Sequence, residues 1–338
     1  MIKEAIKILV SGNSLTFEQT AGVMEEIMTG DATPAQFGAF VTALRIKGET
    51  VDEIAGMANV MRVKTVPVEA TPPLVDTCGT GGDNCATFNV STAAAFIAAG
   101  AGLKVAKHGN RAMSSRCGSA DVLEALGVKI DLGAEAVAKC LETVGIGFMF
   151  APIFHPAMKH AVGPRREIGI RTVFNILGPL TNPARAESQV IGVASEELGA
   201  KIASVLHRLG TKHSLVVHSR QGMDEISISG SSLIWDVTES GVSTPYLVFP
   251  KHFELEEASL DEIKGGTPEE NAGILRHICD GEKSPRRDVS VMNAAAALVA
   301  ANQAPGMQEG ARLAKEAIDT GKVRDKLDRL VKLSRTLE

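Results

Sequence analysis

With 338 residues, 44% of them hydrophobic and 22% charged, the chain is long enough for about two domains around a sizeable buried core. A net charge of −5 supplies no general basic field, so nucleic acid is not an expected partner and any anion site must come from local clustering. The five cysteines (Cys78, Cys85, Cys117, Cys140, Cys279) are scattered and lack zinc spacing, no signal peptide stands out, and the most apolar stretch, Val90 to Ala106, is short of a membrane span; the expectation is a soluble cytoplasmic chain with free thiols.

Residues up to about Val63 read as helices only. Ile2, Ala5, Ile6 and Leu9 recur at helical spacing. Three capping boxes follow, Thr16 with Gln19, Thr33 with Gln36 and Thr50 with Glu53, with Pro34 at a first helical position and Gly30 and Gly48 where helices should stop. The apolar residues Phe37, Phe40, Val41 and Leu44 suit a bundle core or a dimer contact.

Val66-Pro67 and Thr71-Pro72-Pro73 form a stiff extended connection, a hinge between domains. Short apolar strands then alternate with helices. Strands are expected at 74–75, 103–106, 147–150, 189–193, 214–218 and 226–228; helices at 91–101, 120–126, 134–144, 196–209, 268–279 and 289–301. That alternation predicts an α/β domain with a largely parallel sheet, whose ligands bind beyond the carboxyl ends of the strands. Ala161 to Pro183 interrupts the pattern with Arg165, Arg166 and Arg171 and a tight loop at 176–183, an insertion able to return to the helical part and wall a cleft. Residues 310–337 read as charged amphipathic helices packing on the sheet.

Two polar, glycine-studded loops fall at expected strand ends. The first is Asp76-Thr77-Cys78-Gly79-Thr80-Gly81-Gly82-Asp83, where three glycines in four positions let backbone approach a ligand. It has neither the ending of a P-loop nor the spacing of a dinucleotide fingerprint. The second runs from Lys107 to Arg116 and carries His108, Asn110, Arg111, Ser114 and Ser115. Between them, Asn89-Val90-Ser91-Thr92 opens a helix whose free N–H groups and dipole favour anions. Together they suit a phosphate-rich small molecule. Asp83 conflicts with phosphate unless a divalent cation or a ribose hydroxyl intervenes. Met223-Asp224-Glu225, beyond the strand at 214–218, offers paired carboxylates of the kind that hold Mg²⁺. Ser119 is a natural N-cap. His155 and His160 have no metal-ligand spacing, Cys78 reads as a structural thiol, and no nucleophile elbow is present, so covalent catalysis is not expected.

These motifs, with Gly118-Ser119-Ala120-Asp121 and Arg171-Thr172-Val173-Phe174-Asn175 through Gly178-Pro179-Leu180, closely resemble the anthranilate phosphoribosyltransferase family (glycosyltransferase family 3) along essentially the whole chain. The related pyrimidine nucleoside phosphorylases share single pieces. The resemblance implies a small N-terminal helical domain, residues 1–69, onto which 163–186 packs back. It implies a large α/β phosphoribosyl-binding domain, 70–338, with a mostly parallel central sheet and C-terminal helices. It implies transfer of the phosphoribosyl group of phosphoribosyl pyrophosphate (PRPP) to anthranilate, in a cytoplasmic homodimer joined through the helical domain, without nucleic acid or membrane partners. By motif, the PRPP site would comprise Gly79, Gly82, Asp83, Thr87, Asn89, Val90, Ser91, Thr92, Lys107, His108, Gly109, Asn110, Arg111, Ala112, Met113, Ser114, Ser115 and Ser119. Anthranilate would meet Gly79, His108, Asn110, Pro152, His155 and Arg165. Ser91, Asp224 and Glu225 would hold two Mg²⁺ ions per active site.

Overall fold

A computed structural model describes residues 1–83, 85–112 and 116–337. The chain opens with four helices, α1 (Ile2–Val10), α2 (Phe17–Thr29), α3 (Pro34–Lys47) and α4 (Val51–Lys64). All three capping boxes form as the sequence predicts, each satisfying orphan N–H groups at both ends of its first turn. Helix α2 packs on α4, and α1 on α3.

The α/β part begins with β1 (Leu74–Gly79), α5 (Val90–Gly100), β2 (Lys104–Gly109), α6 (Ser119–Leu126), α7 (Ala134–Val144) and β3 (Ile146–Phe150). The insertion follows as α8 (Ala151–Phe154), α9 (Lys159–Ile168) and α10 (Phe174–Leu177). The second half continues with β4 (Ser188–Gly192), α11 (Glu196–Arg208), β5 (His213–Ser219), β6 (Ser232–Thr238), β7 (Gly241–Val242) and β8 (Tyr246–Val248). Helices α12 (Pro268–Cys279), α13 (Pro285–Ala300), α14 (Met307–Asp319) and α15 (Lys322–Ser334) complete it. The sheet order is β3-β2-β1-β4-β5-β6-β7, with β8 also on β6. Strands β3 through β5 are parallel, while β6, β7 and β8 pair antiparallel.

From β1 the chain winds first toward β2 and later returns to β4 on the other side. The order reverses between β1 and β4, and a crevice opens there beyond the strand ends. Gly79 and Gly192 are register partners at that point. One sheet face packs on α5, whose Ala-rich run is buried all round, and α5 in turn lies against α13 with its own Ala294 to Ala297. The opposite face, with Ile191, Val216 and Trp235, shares one core with α11 and the helical layer. The insertion joins that same core: Phe174 meets Phe37 with ring centroids 5.2 Å apart, and α9 packs on α2 and α3. No described helix is long and apolar enough to cross a membrane.

Four local expectations need correction. Ile226–Ile228 is no strand, although both isoleucines are fully buried. The N–H of Ile226 donates to Asn293 Oδ1 (3.0 Å) and that of Ser227 to Ser232 Oγ (3.0 Å), so side chains take the place of a neighbouring strand. Residues 176–183 are not a plain loop; the end of α10 and a 3₁₀ turn at Gly178–Leu180 carry them. The C-terminal helices lie chiefly on α5, α7 and α13 rather than directly on the sheet. The N-cap of α6 is Gly118, not Ser119: Asp121 Oδ2 accepts the N–H groups of Gly118 and Ala112 (both 2.9 Å), while the Ser119 hydroxyl donates to the Asn110 carbonyl.

Candidate active site

Beyond the ends of β1, β2 and β4 lies a cavity of about 1010 Å³. Its floor and one wall come from the glycine loop after β1, the start of α5, the loop after β2 and residues 224–225. The facing wall comes from the insertion, including Pro152, His155, Met158, Arg165, Arg171 and Phe174, with Met61 reaching in from α4.

The glycine loop is shaped by two side chains that require it to lack Cβ atoms. Asp224 Oδ2 accepts the Gly81 N–H (2.7 Å), and Arg171 Nη2 donates to the carbonyls of Thr80 (3.1 Å) and Gly81 (2.9 Å). At Gly82, where φ is 80°, a methyl would overlap the Arg171 guanidinium. At Gly192 a methyl would overlap the Asp224 carbonyl, so the strand floor and the acidic residues are in direct contact.

Asp83, Asp224 and Glu225 each bring a carboxylate oxygen into a group spanning no more than 4.8 Å. Burial, then the charge of Asp83, pushes the Asp224 carboxyl up to about 6. Burial, then Asp224 and Asp83, pushes Glu225 well above its ordinary range. Three acids crowded together in low dielectric are a poor arrangement unless a cation neutralises them. Their all-oxygen donor set, with Oδ2 of Asp83 and Oε2 of Glu225 buried and without partners among the described residues, fits Mg²⁺. Ser91, Asp224 and Glu225 also share a small recess under the main cavity. The buried Lys107, which borders the main cavity, donates from its ammonium to the Thr77 carbonyl (2.6 Å) and the Ser91 hydroxyl (3.4 Å).

At the other end, the His108 and His155 rings meet at 5.0 Å between centroids, tilted 47° to each other. His155 Nδ1 shares a hydrogen with Thr65 Oγ1 (2.7 Å), at the end of α4. Burial, then the neighbouring His155, drives His108 down to about 3; burial drives His155 down to about 4. Both rings are therefore neutral near pH 7. Arg165 lies 5.4 Å over the Phe174 ring, and among the described residues no carboxylate pairs with it. Eight buried side-chain polar atoms lack partners among the described residues. Six of them (on Thr80, Asp83, Thr92, His108, His155 and Glu225) border this one cavity, which marks it as built for a polar ligand.

Nearly every expected site residue borders the cavity: Gly79, Gly82, Asp83, Thr87, Asn89, Ser91, Thr92, Lys107 to Ala112, Ser119, Pro152, His155, Arg165, Asp224 and Glu225. Met113, Ser114 and Ser115 lie outside the described residues. Val90 does not line it; its side chain is fully buried in the core and its N–H donates to the Phe88 carbonyl (2.7 Å). Arg111 borders the cavity but its guanidinium pairs with Asp121 (3.0 Å) and Glu124 (2.8 Å) on α6. His160 is not among the lining residues, and its ring lies against Gly30. The Cys78 thiol is raised well above its ordinary range by burial and Asp76, in keeping with a structural role.

Sequence reasoning assigns no role to Arg171, Asn175, Thr181 or Asn271, all of which line the cavity. Asn271 Nδ2 donates to Asn89 Oδ1 (2.9 Å) and so fixes the start of α5 from 182 positions away. A usable signal exists only for Arg171 and Asn175, polar residues bracketing the apolar Val173-Phe174 in a segment already suspected of walling the cleft.

A chain with this arrangement, an acidic strand-end site facing a cationic wall, falls in the glycosyl transferase class by its family models. Residues 71–324 match the family model described as "Glycosyl transferase family, a/b domain", and residues 3–64 match "Glycosyl transferase family, helical bundle domain". The chain is 59% identical over 338 residues to anthranilate phosphoribosyltransferase of Dehalococcoides mccartyi, covering 100% of this chain and 99% of that protein. Its fold is similar to the crystal structure of anthranilate phosphoribosyltransferase from Thermus thermophilus (TM-score 0.92, 44% identity, 98% and 99% of the two chains covered). It is also similar to the Saccharomyces cerevisiae enzyme in complex with PRPP and Mg (TM-score 0.91, 29% identity, 99% and 98% covered). The chain belongs to the anthranilate phosphoribosyltransferase family, as its motifs suggest.

Proposed function

We propose that this cavity carries the transfer of the phosphoribosyl group from PRPP to the amine of anthranilate, giving N-(5-phosphoribosyl)anthranilate and pyrophosphate, a step of tryptophan biosynthesis. The observation that carries the assignment of roles is the polarity of the cavity. Among the described residues, carboxylate and hydroxyl oxygens without partners gather at the strand ends, and a guanidinium that no carboxylate pairs with waits on the facing wall.

In this reading Asp83, Asp224, Glu225 and Ser91 hold Mg²⁺, which supplies charge neutralisation to the diphosphate. Two ions per active site are proposed, because three carboxylates and a hydroxyl exceed what one Mg²⁺, which keeps several waters, takes from protein. The glycine loop and the start of α5 present backbone N–H groups to the phosphates. Departure of the diphosphate leaves a cation-like ribose carbon, and the neutral aromatic amine attacks it without a strong base, the proton it sheds as the N–C bond forms passing to the departing diphosphate. The unprotonated His108 and His155 suit the approach of a neutral aromatic ring, since they bring no competing charge. Arg165 meets the anthranilate carboxylate through paired hydrogen bonds. Domain closure about the extended link at 66–73 would exclude water, which otherwise competes with the amine.

Two further expectations stand as proposals. A homodimer through the helical layer is supported by the exposed Val10, Ile46 and Val63 on α1, α3 and α4. A cytoplasmic setting is supported by five cysteines that are all free.

The test is loss of anthranilate fluorescence on adding PRPP, with and without Mg²⁺. Loss that requires both PRPP and Mg²⁺ supports the reading. Phosphorolysis of thymidine with no such loss would overturn it in favour of a nucleoside phosphorylase.

A further inference from the structure

Asp224 and Glu225 belong to neither a strand nor a helix; they sit in the crossing between β5 and β6. Something other than a sheet ladder must therefore fix their positions. On the near side, Met223 is tied back by the Ser219 N–H, which donates to its carbonyl (3.0 Å), and Asp224 is held by the Gly81 N–H. On the far side the next residue after Glu225 is gripped by one side chain. Asn293, on α13, accepts the Ile226 N–H at Oδ1 (3.0 Å) and donates from Nδ2 to the Ile226 carbonyl (2.9 Å). The same Nδ2 also donates to the Val289 carbonyl one turn earlier on its own helix (2.9 Å).

That third bond fixes which way the amide points, because a flipped amide would set its oxygen against two carbonyl oxygens. Asn293 thus imitates the peptide unit of an adjacent strand, donating and accepting toward a single residue. It is 4% exposed, and no water competes freely for these bonds. It also lines the recess that holds Ser91, Asp224 and Glu225. A polar side chain inside the apolar Ala-rich stretch of α13 has no packing rationale of its own.

We propose that Asn293 is a positioning residue for the candidate Mg²⁺ site: by holding both backbone groups of Ile226 it fixes the carboxylate of Glu225 before any ion arrives. The inference rests on the metal-site reading given above. Outer-shell groups that orient metal ligands are worth about 10–100-fold in metal affinity. Asn293 acts on the backbone of the residue after a ligand, so the expected effect is near the lower end of that range.

Direct binding of Mn²⁺ to the purified protein, followed by electron paramagnetic resonance without substrates, tests this. Asn293→Leu should weaken Mn²⁺ binding about tenfold and leave the anthranilate KM within about twofold, a split that general loosening of the fold would not produce. Asp224→Asn with Glu225→Gln serves as the reference. If that pair binds Mn²⁺ as the unmodified protein does, the metal-site reading itself falls. If the pair loses Mn²⁺ while folded Asn293→Leu keeps its affinity, the role of Asn293 falls alone. Should Asn293→Leu not fold, hydrogen exchange on the unmodified protein decides. Protection of the Ile226 amide without metal is expected, and an amide that becomes protected only on adding Mn²⁺ would overturn the proposal.

Discussion

The two walls of the cavity are made differently. The strand-end wall is tied to the sheet through Gly79 and Gly192 and the Gly81 N–H, and to α13 through Asn293, and it concentrates negative charge where burial makes charge unwelcome. The facing wall belongs to the insertion, shares its core with the helical layer, and carries its cation half-exposed above an aromatic ring. On the proposed reading, the contrast teaches that one wall would be preorganised for an ion and a diphosphate, while the other, sharing its core with the helices, would select the second substrate.

Removing the acids should separate the walls most sharply. Asp224→Ala with Glu225→Ala should lower Mg²⁺-dependent kcat/KM for PRPP on the order of 10³-fold. Anthranilate binding, titrated by fluorescence, should stay within about twofold. Unchanged metal dependence of the rate would remove these residues from the site. On the facing wall, Arg165→Ala should raise the anthranilate KM about 30-fold, the loss of a charge-assisted pair worth roughly 2 kcal/mol. The PRPP KM should barely move, and equal effects on both substrates would count against the assignment.

Gly82→Ala probes a contact that bridges the walls, that of the glycine loop with Arg171. It places a side chain at φ 80°, against Arg171, and should cost roughly 1 kcal/mol in stability. About a tenfold fall in kcat/KM for PRPP is expected, partly restored by Arg171→Ala in a double-mutant cycle; strict additivity would argue that the overlap is not what matters. The last effect shows only in acid. His155 is held near 4 in the fold against 6.5 when free, so its stabilisation is complete above about pH 6.5 and drains away as the pH falls toward 4. His155→Asn should therefore flatten the acid limb of a Tm-against-pH curve, by about 2 kcal/mol near pH 5. An identical limb in the variant would place the acid sensitivity elsewhere.

Much of this is legible in the residues. The capping boxes at Thr16, Thr33 and Thr50 announce themselves, because both partners lie within three positions. The βα alternation is a period pattern, and the strand ends follow from it. What escapes is non-local. Ile226-Ser227-Ile228 alternates like a strand and is buried like one, yet its hydrogen bonds come from Asn293 and Ser232. The true strand, β6, is missing from the strands expected of the sequence, and with it the antiparallel edge. Asn271 and Arg171 act on the backbone or side chains of residues 90 to 182 positions away, and no spacing rule reaches that far. Val90 is drawn into the expected site by its neighbours, although a fully apolar side chain at the root of a buried helix points inward.

The close seat of the Asp224 carbonyl on Gly192 carries a practical lesson for redesign. A single added carbon in the middle strand, well before Asp224 and Glu225 in the chain order, would lift the acidic corner off its footing. Libraries aimed at new acceptor amines should therefore vary the wall from Pro152 to Asn175 and leave the sheet's glycines alone.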